Sequence, residues 1–200
     1  RRTAGLRRVG AGTGDLDRGV VLAMSDAPQA DRMVAWPEGE DAQRRLLARA
    51  VSVLRSSGVV AFPTDTVYGI GVLGSDARAI QRLYAIKDRP PEKAIALLVS
   101  DAGQLGEVTD YEDPDLRALA QRFWPGALTV VIPWRRESPA ALAQPFDTVG
   151  VRVPDHPVAL QLIAEAGEPL ATTSANLSGH PSALTAKQVS APFGVRVGLS

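Results

Sequence analysis

Apolar residues along this chain fall into two patterns that alternate with each other. Spacing of three and four residues predicts helices over 41–57, from Ser75 to about Lys87, over 101–108, 114–123 and 157–166, and a last helix capped by Thr185. Unbroken apolar runs predict strands over 59–62, 94–99, 127–132, 148–153 and 170–173, with loops over 64–74 and 174–184. Strands that alternate with helices indicate an α/β fold.

The first 40 residues lack this periodicity. They are rich in Arg, Gly and Asp, and they carry six basic and six acidic residues. The chain begins with Arg1, while methionines occur at Met24 and Met33. We therefore expect residues 1–40 to be a disordered or spurious leader, and residues 41–200 to form one catalytic domain.

Composition excludes several classes of site. The chain of 200 residues has no Cys and only two His, which excludes thiolate nucleophiles, zinc–thiolate sites and His-rich metal sites. Lys and Arg number 22, as do Asp and Glu, so bulk charge favours neither nucleic acid nor an anionic membrane. No apolar run is long enough to predict a membrane span. These features are typical of a cytoplasmic protein, which is the location we expect.

Two motifs place polar residues directly after predicted elements. Thr64 lies in the segment PTDTVYG, which follows a buried strand, where ligands bind in open α/β sheets; a simple Thr/Asp turn explains it equally. Lys87, Arg89 and Lys93 surround two prolines at a predicted helix end. A rigid cationic corner suits a polyphosphate, although Lys87 could serve only the helix dipole.

Two further motifs lie in the second half of the chain. Arg152 interrupts the apolar strand TVGVRV; it either points outward or needs an anionic partner, for which a ligand carboxylate or phosphate would serve. The segment TTSANLSGHPS (172–182) crowds hydroxyl and amide groups at a strand end, where backbone N–H groups often bind anions, but a plain polar loop is an alternative.

The chain lacks the usual systems for covalent catalysis. It contains no GxSxG elbow, and His156 lies in a Pro-Asp-His-Pro segment that resembles a helix start. The remaining Thr, Ser, Asn, Lys and Arg side chains bind anions and stabilise charge. They suit adenylyl or phosphoryl transfer, in which a metal can arrive on the nucleotide phosphates.

In order and spacing, the motifs PTDTVYGIG, KDRPPEK, RFWPGALTVV, TVGVRVPDHP and TTSANLSGHPS resemble the threonylcarbamoyl-AMP synthase family over about residues 59–182. The resemblance implies a single YrdC-like domain, with a twisted mixed sheet flanked by helices and a concave ligand cleft. It implies synthesis of threonylcarbamoyl-AMP and pyrophosphate from L-threonine, bicarbonate and ATP. The product would serve threonylcarbamoyl modification of tRNA adenosine through partner proteins.

The resemblance also implies roles for individual residues. L-Threonine would be bound by Thr64, Arg152 and Thr172. ATP, with Mg²⁺ expected on it, would be bound by Lys87, Arg89, Pro91, Thr148, Ser174, Asn176 and Ser182. Of these, Lys87, Arg89, Ser174 and Asn176 form the family's paired signature and are the expected catalytic set. No protein-bound metal is expected.

Two departures from the family pattern bear on activity. The strand after Lys93 lacks the His found in many relatives, and the family's domain usually continues beyond the last helix predicted here. We therefore expect the C-terminal end of the domain to be missing. Two alternatives stay open: a YrdC-like module that contacts tRNA or double-stranded RNA, and a relative that handles carbamoyl-adenylate without threonine activity.

Overall fold

The computed structural model describes residues 20–24, 33–90, 92–134, 147–185 and 188–189. The strands are β1 (Val20–Met24), β2 (Met33–Ala35), β3 (Val59–Phe62), β4 (Gly69–Leu73), β5 (Ala96–Leu98), β6 (Val130–Pro133), β7 (Thr148–Arg152) and β8 (Leu170–Ser174). The helices are α1 (Glu40–Arg55), α2 (Ala77–Lys87), α3 (Leu105–Val108), α4 (Pro114–Phe123) and α5 (Pro157–Ala166).

The described strands form one mixed sheet in the order β2-β1-β3-β4-β8-β5-β7-β6. Strands β5 and β7 pair in parallel, and the other recorded pairs are antiparallel. The expected class, a mixed sheet flanked by helices, is confirmed. Strand β8 lies between β4 and β5, which brings the 172–182 segment to the centre of the sheet.

Helices pack on both faces of the sheet because strand side chains alternate between faces. On one face, α1 and α5 bury their apolar stripes against a cluster that includes Val60, Phe62, Leu98 and Leu170. On the other face, α2 packs against a second cluster through Ala79, Ile80 and Leu83. The sheet is therefore the middle of three layers.

Part of the α1/α5 face stays open near β6 and β7. Val131 pairs with Gly150 and is 67% exposed. Thr148, Gly150 and Arg152 alternate with the buried Val149 and Val151. We call the surface formed by Val131 and Thr148 the open face; Arg152 lies on the same side of β7, but only 12% of its side chain is exposed.

Three described α-helices begin at a side-chain cap; at α4, the Asp113 carboxylate accepts the Asp115 N–H at 2.7 Å. The Asp76 carboxylate accepts the Ala79 N–H at 3.0 Å and the Ser57 hydroxyl at 2.6 Å. At α5, His156 Nδ1 accepts the Val158 N–H at 3.2 Å. The cap of α2 is therefore Asp76 rather than Ser75, because its carboxylate reaches two donors.

Several predicted elements differ from the observed ones. Residues 64–74 are not all loop, since Gly69–Leu73 form β4. A Cβ on Gly71 would lie 2.9 Å from Thr172 Oγ1 and 3.0 Å from Phe62 Cε1. This glycine thus serves close packing between strands. The helix predicted over 101–108 divides into a 3₁₀ turn (Ala102–Gln104) and α3.

Most remaining elements match closely, although β5 covers only Ala96–Leu98 of the predicted 94–99. Strand β3 and helices α4 and α5 have the predicted bounds, while β6 begins at Val130 instead of 127 and β8 extends to Ser174. Around the predicted last cap, the Thr185 hydroxyl accepts the Gln188 N–H at 3.4 Å, and Gln188 Oε1 accepts the Thr185 N–H at 3.1 Å. This reciprocal pair is a capping box.

Two strands lie inside the expected leader. β1 pairs with β3 and β2 pairs with β1, so residues 20–24 and 33–35 belong to the sheet. These residues are strands in the structure, while the expectation of a disordered or spurious leader over residues 1–40 as a whole stays a prediction. The other residues before 33 lie outside the described part of the chain, and the division at residue 40 stays a prediction. Among the described helices, none is long and apolar enough to span a membrane.

The His156 cap predicts a pH-dependent stability. Burial lowers the pKa of His156 below its ordinary value of 6.5, against the opposing carboxylates of Asp65 and Asp155. The unfolded chain then binds a proton more readily than the folded chain, so this residue's contribution to stability is lost as pH falls below about 6.5. Protonation also removes the Nδ1 acceptor.

His156→Asn keeps a capping side chain. We expect its unfolding free energy to fall less between pH 7.5 and 5.5 than that of the parent protein. Urea denaturation at each pH measures this. The control is His180→Asn at the other, exposed histidine, which should keep the parent slope. An identical pH slope for the parent and His156→Asn would contradict the prediction.

Candidate functional site

The end of α2 sets the positions of Lys87 and Arg89. Asp88 has a left-handed backbone with φ of 51°, and its N–H bonds to the Ala85 carbonyl, which ends the helix. The Arg89 N–H then turns back to the Tyr84 carbonyl at 3.1 Å. Lys87 is the last residue of α2 and is buried, and the reversal after it directs Arg89 toward the following loop.

Lys87 is buried with only 1% of its surface exposed. Its Nζ donates to Ser174 O at 2.5 Å, Asn176 Oδ1 at 3.2 Å and Thr173 Oγ1 at 3.3 Å. An ammonium has three N–H donors, so these acceptors use all of them. Burial, assisted by the Arg89 guanidinium, lowers the pKa of Lys87 from 10.5 to about 8. The side chain thus remains mostly cationic at neutral pH.

Asn176 locks the loop that follows β8. Its Oδ1 accepts the Ser174 hydroxyl at 2.5 Å as well as Lys87, and its Nδ2 donates to the carbonyls of Leu177 at 3.0 Å and His180 at 2.5 Å. Every hydrogen-bonding site of this amide is therefore occupied. Lys87, Ser174 and Asn176 do come together as the sequence predicted, but they bind one another.

Arg89 holds a second loop. Its Nε donates to the Lys93 carbonyl at 3.1 Å, and Nη2 donates to the Ala94 carbonyl at 2.6 Å. Tyr84 also donates its hydroxyl to the Lys93 carbonyl, at 3.0 Å. Within the described part of the chain, Nη1 makes no hydrogen bond, so it can donate to an anion. Pro91, a predicted ATP contact in this loop, lies outside the described residues.

Arg152 joins three separate segments. Its Nε donates to the Gly126 carbonyl at 2.8 Å, its Nη1 donates to Thr66 Oγ1 at 3.1 Å, and its Nη2 forms an ion pair with Asp65 Oδ1. The Asp155 N–H also donates to Asp65 Oδ1, at 3.1 Å. The sequence left open whether Arg152 points outward or needs an anionic partner. In the structure Arg152 has such a partner within the protein, the carboxylate of Asp65.

Thr64 organises the loop between β3 and β4. Its hydroxyl donates to the Val67 carbonyl at 2.5 Å and accepts the Val67 N–H at 3.2 Å, which makes a compact turn. At the end of this loop, the Tyr68 carbonyl accepts the Ala175 N–H at 2.7 Å. The loop therefore bonds to Arg152 through Asp65 and Thr66, and to Ala175, which follows the Ser174 that Lys87 contacts.

Two predicted residues lie along the sheet. Thr172 is only 8% exposed, and its hydroxyl donates to the Leu170 carbonyl at 3.1 Å beside Gly71. Thr148 lies at the start of β7, on the open face and on the same side of the strand as Arg152. Their assigned ligand roles stay predictions.

Ser182 and Asn176 line a pocket of about 240 Å³ together with His180 and Gln188. A second pocket of about 250 Å³ lies between α3 and α4 and contains none of the predicted site residues. No group of three acidic or His side chains that could hold a metal occurs in the described ranges.

Sequence reasoning missed how the site is held together. It noticed Asp65 but did not pair it with Arg152, and it did not assign Gly126 or Tyr84 any part. Arg152 bonds to the Gly126 carbonyl and Arg89 to the Lys93 carbonyl; because every residue has a backbone carbonyl, the residue type does not reveal such contacts. The ion pair of Asp65 and Arg152 spans 87 positions, so spacing alone could not reveal it.

Comparison of the sequence with known proteins identifies relatives of this chain. Residues 52–199 match the Sua5/YciO/YrdC family, described as telomere recombination. Threonylcarbamoyl-AMP synthase of Bacillus subtilis is 43% identical over 145 residues, which are 72% of this chain and 42% of that protein. Threonylcarbamoyl-AMP synthase of Vibrio cholerae is 40% identical over 76% of this chain and 81% of its own length.

A solved structure agrees with these matches. Sua5 of Pyrococcus abyssi complexed with L-threonine superposes with a TM-score of 0.70 at 37% identity, over 72% of this chain and 43% of that one. The chain thus spans less than half the length of the Bacillus and Pyrococcus proteins.

The Lys87 contacts predict that the protein loses stability when the Lys87 ammonium is removed. Lys87→Met removes the ammonium and leaves the Ser174 carbonyl and Asn176 Oδ1 without this donor, which should lower the unfolding free energy by about 1–3 kcal/mol. Chemical denaturation measures the change. Lys93→Met, at an exposed lysine, is the control and should change stability by less than about 0.5 kcal/mol. Equal stability of both variants would refute the structural role of Lys87.

Proposed function

The chain belongs to the Sua5/YciO/YrdC family, and we propose that it forms threonylcarbamoyl-AMP and pyrophosphate from L-threonine, bicarbonate and ATP. This makes it a nucleotidyltransferase whose product serves threonylcarbamoyl modification of tRNA adenosine through partner proteins. The observation that carries the proposal is the loop 63–68, which bonds directly to Arg152 and, through the Tyr68 carbonyl and the Ala175 N–H, to the end of β8, where Lys87 bonds to Ser174.

The two groups suit different anions. Arg152 has five N–H donors, of which three are used by the protein, so two remain for a carboxylate such as that of threonine. Thr64 and Thr66 supply hydroxyls beside it. The Lys87 ammonium contributes positive potential from below the surface, and Arg89 Nη1 offers an exposed donor to the ATP phosphates.

The chemistry needs little beyond positioning and charge. The threonine amine attacks bicarbonate, and a carbamate forms with loss of water. A carbamate oxygen then attacks the α-phosphorus of ATP, and the bond to pyrophosphate breaks. Because negative charge builds up on the phosphates, fixed cations stabilise the transition state. Mg²⁺ would arrive with ATP and neutralise part of that charge.

The remaining predicted ATP contacts extend the same surface. Ser174 and Asn176 hold the 174–180 loop in place, and Ser182 lies in the pocket beside it. Thr148 is further along the open face. Under this proposal, Ser174 and Asn176 act mainly by shaping the loop, since their side chains already bind Lys87 or each other.

A pyrophosphate assay with ATP, Mg²⁺ and bicarbonate tests the proposal. Release should require L-threonine, and Arg152→Ala should reduce it about 100-fold, the effect of losing roughly 2–3 kcal/mol from a charged hydrogen bond. Arg117→Ala is the control, because its ion pair with Glu112 is exposed on the surface and should leave the rate unchanged.

The other outcomes identify the alternatives. Release that ignores threonine would contradict the proposal and favour a relative that handles carbamoyl-adenylate. No release, together with salt-sensitive binding of double-stranded RNA, would contradict it and favour the RNA-binding module.

A further inference from the structure

The Asp65–Arg152 pair has an incomplete set of hydrogen bonds. Asp65 Oδ1 accepts both from Arg152 Nη2 and from the Asp155 N–H. The second oxygen, Oδ2, has no recorded partner within the described part of the chain. A carboxylate offers about four acceptor positions, so Asp65 can still accept from a ligand while it holds Arg152.

The charges of this pair constrain what can bind beside it. The two side chains are largely buried, with 12% of Arg152 and 18% of Asp65 exposed. Together they are neutral, so an anion bound by Arg152 adds one uncompensated negative charge next to Asp65. Charges removed from water are costly unless they are paired. A ligand that carries its own positive charge next to its carboxylate avoids this cost.

An α-amino acid has this charge arrangement. Its carboxylate and ammonium are separated by one carbon, and Arg152 and Asp65 present the complementary charges side by side. Resting on the proposed function, we propose that Asp65 accepts a hydrogen bond from the substrate's α-ammonium through Oδ2, while Arg152 binds the carboxylate. Asp65 is then a binding residue that selects a zwitterionic α-amino acid over a simple carboxylic acid.

The proposal separates two roles of Asp65. If Asp65 only holds Arg152, its removal weakens every carboxylate ligand equally. If it also binds the ammonium, the loss falls on ligands that carry an amine. Asp65→Asn keeps an oxygen that can accept from Arg152 and Asp155, and it replaces Oδ2 with an amide nitrogen that cannot accept a hydrogen bond.

Two ligands that differ only in the amine provide the test. L-Threonine and (R)-3-hydroxybutyrate share the carboxylate and the hydroxyl, and calorimetry or ligand-observed NMR measures their dissociation constants without turnover. We expect Asp65→Asn to weaken L-threonine about tenfold or more, and (R)-3-hydroxybutyrate by no more than about twofold. The control, Asp147→Asn, removes an exposed carboxylate before β7 and should change neither affinity.

The outcomes distinguish this inference from the function on which it rests. Equal weakening of both ligands by Asp65→Asn, or weakening of neither, overturns the inference and leaves the proposed function standing. Failure of the unaltered chain to bind L-threonine overturns both. A loss confined to L-threonine supports the ammonium contact, and thermal denaturation of Asp65→Asn shows that the loss occurs in a folded protein.

Discussion

The buried ammonium of Lys87 is the interaction on which the candidate site depends. A cation with 1% exposure is stable only if polar groups replace its water, and here the end of β8 and its following loop supply them. The same contacts fix the carbonyl of Ser174 and the amide of Asn176. The Lys87 ammonium therefore helps to hold this loop, together with the bonds of Asn176 to the Leu177 and His180 carbonyls.

The loop 63–68 extends this constraint across the sheet. It bonds to Ala175 next to the Lys87 group, and it supplies Asp65 and Thr66 to Arg152. The loop therefore bonds to Arg152 directly and to the Lys87 contacts through the neighbouring Ala175. Such a frame would position a zwitterionic amino acid and an anionic nucleotide without a strong base, which is consistent with the proposed adenylylation.

The sequence predicted much of the fold because its periodicities are local. Strand β3 and helices α4 and α5 were predicted with their observed bounds. Prediction failed where long-range packing decides the outcome. Gly69 and Gly71 indicate a loop in the sequence, but in the structure they are strand residues that pack closely against Phe62 and Thr172. Strand β1 is connected to the rest of the sheet through its pairing with β3.

The candidate site shows the same limit. Lys87 and Asn176 were predicted as partners in ATP binding, and their direct hydrogen bond could not be read from the sequence. A crystal structure with L-threonine and a non-hydrolysable ATP analogue tests the central claim most directly. The account predicts the threonine carboxylate on Arg152 and the phosphates beside Arg89, with the Lys87 contacts intact. Ligands bound instead in the pocket between α3 and α4 would contradict it.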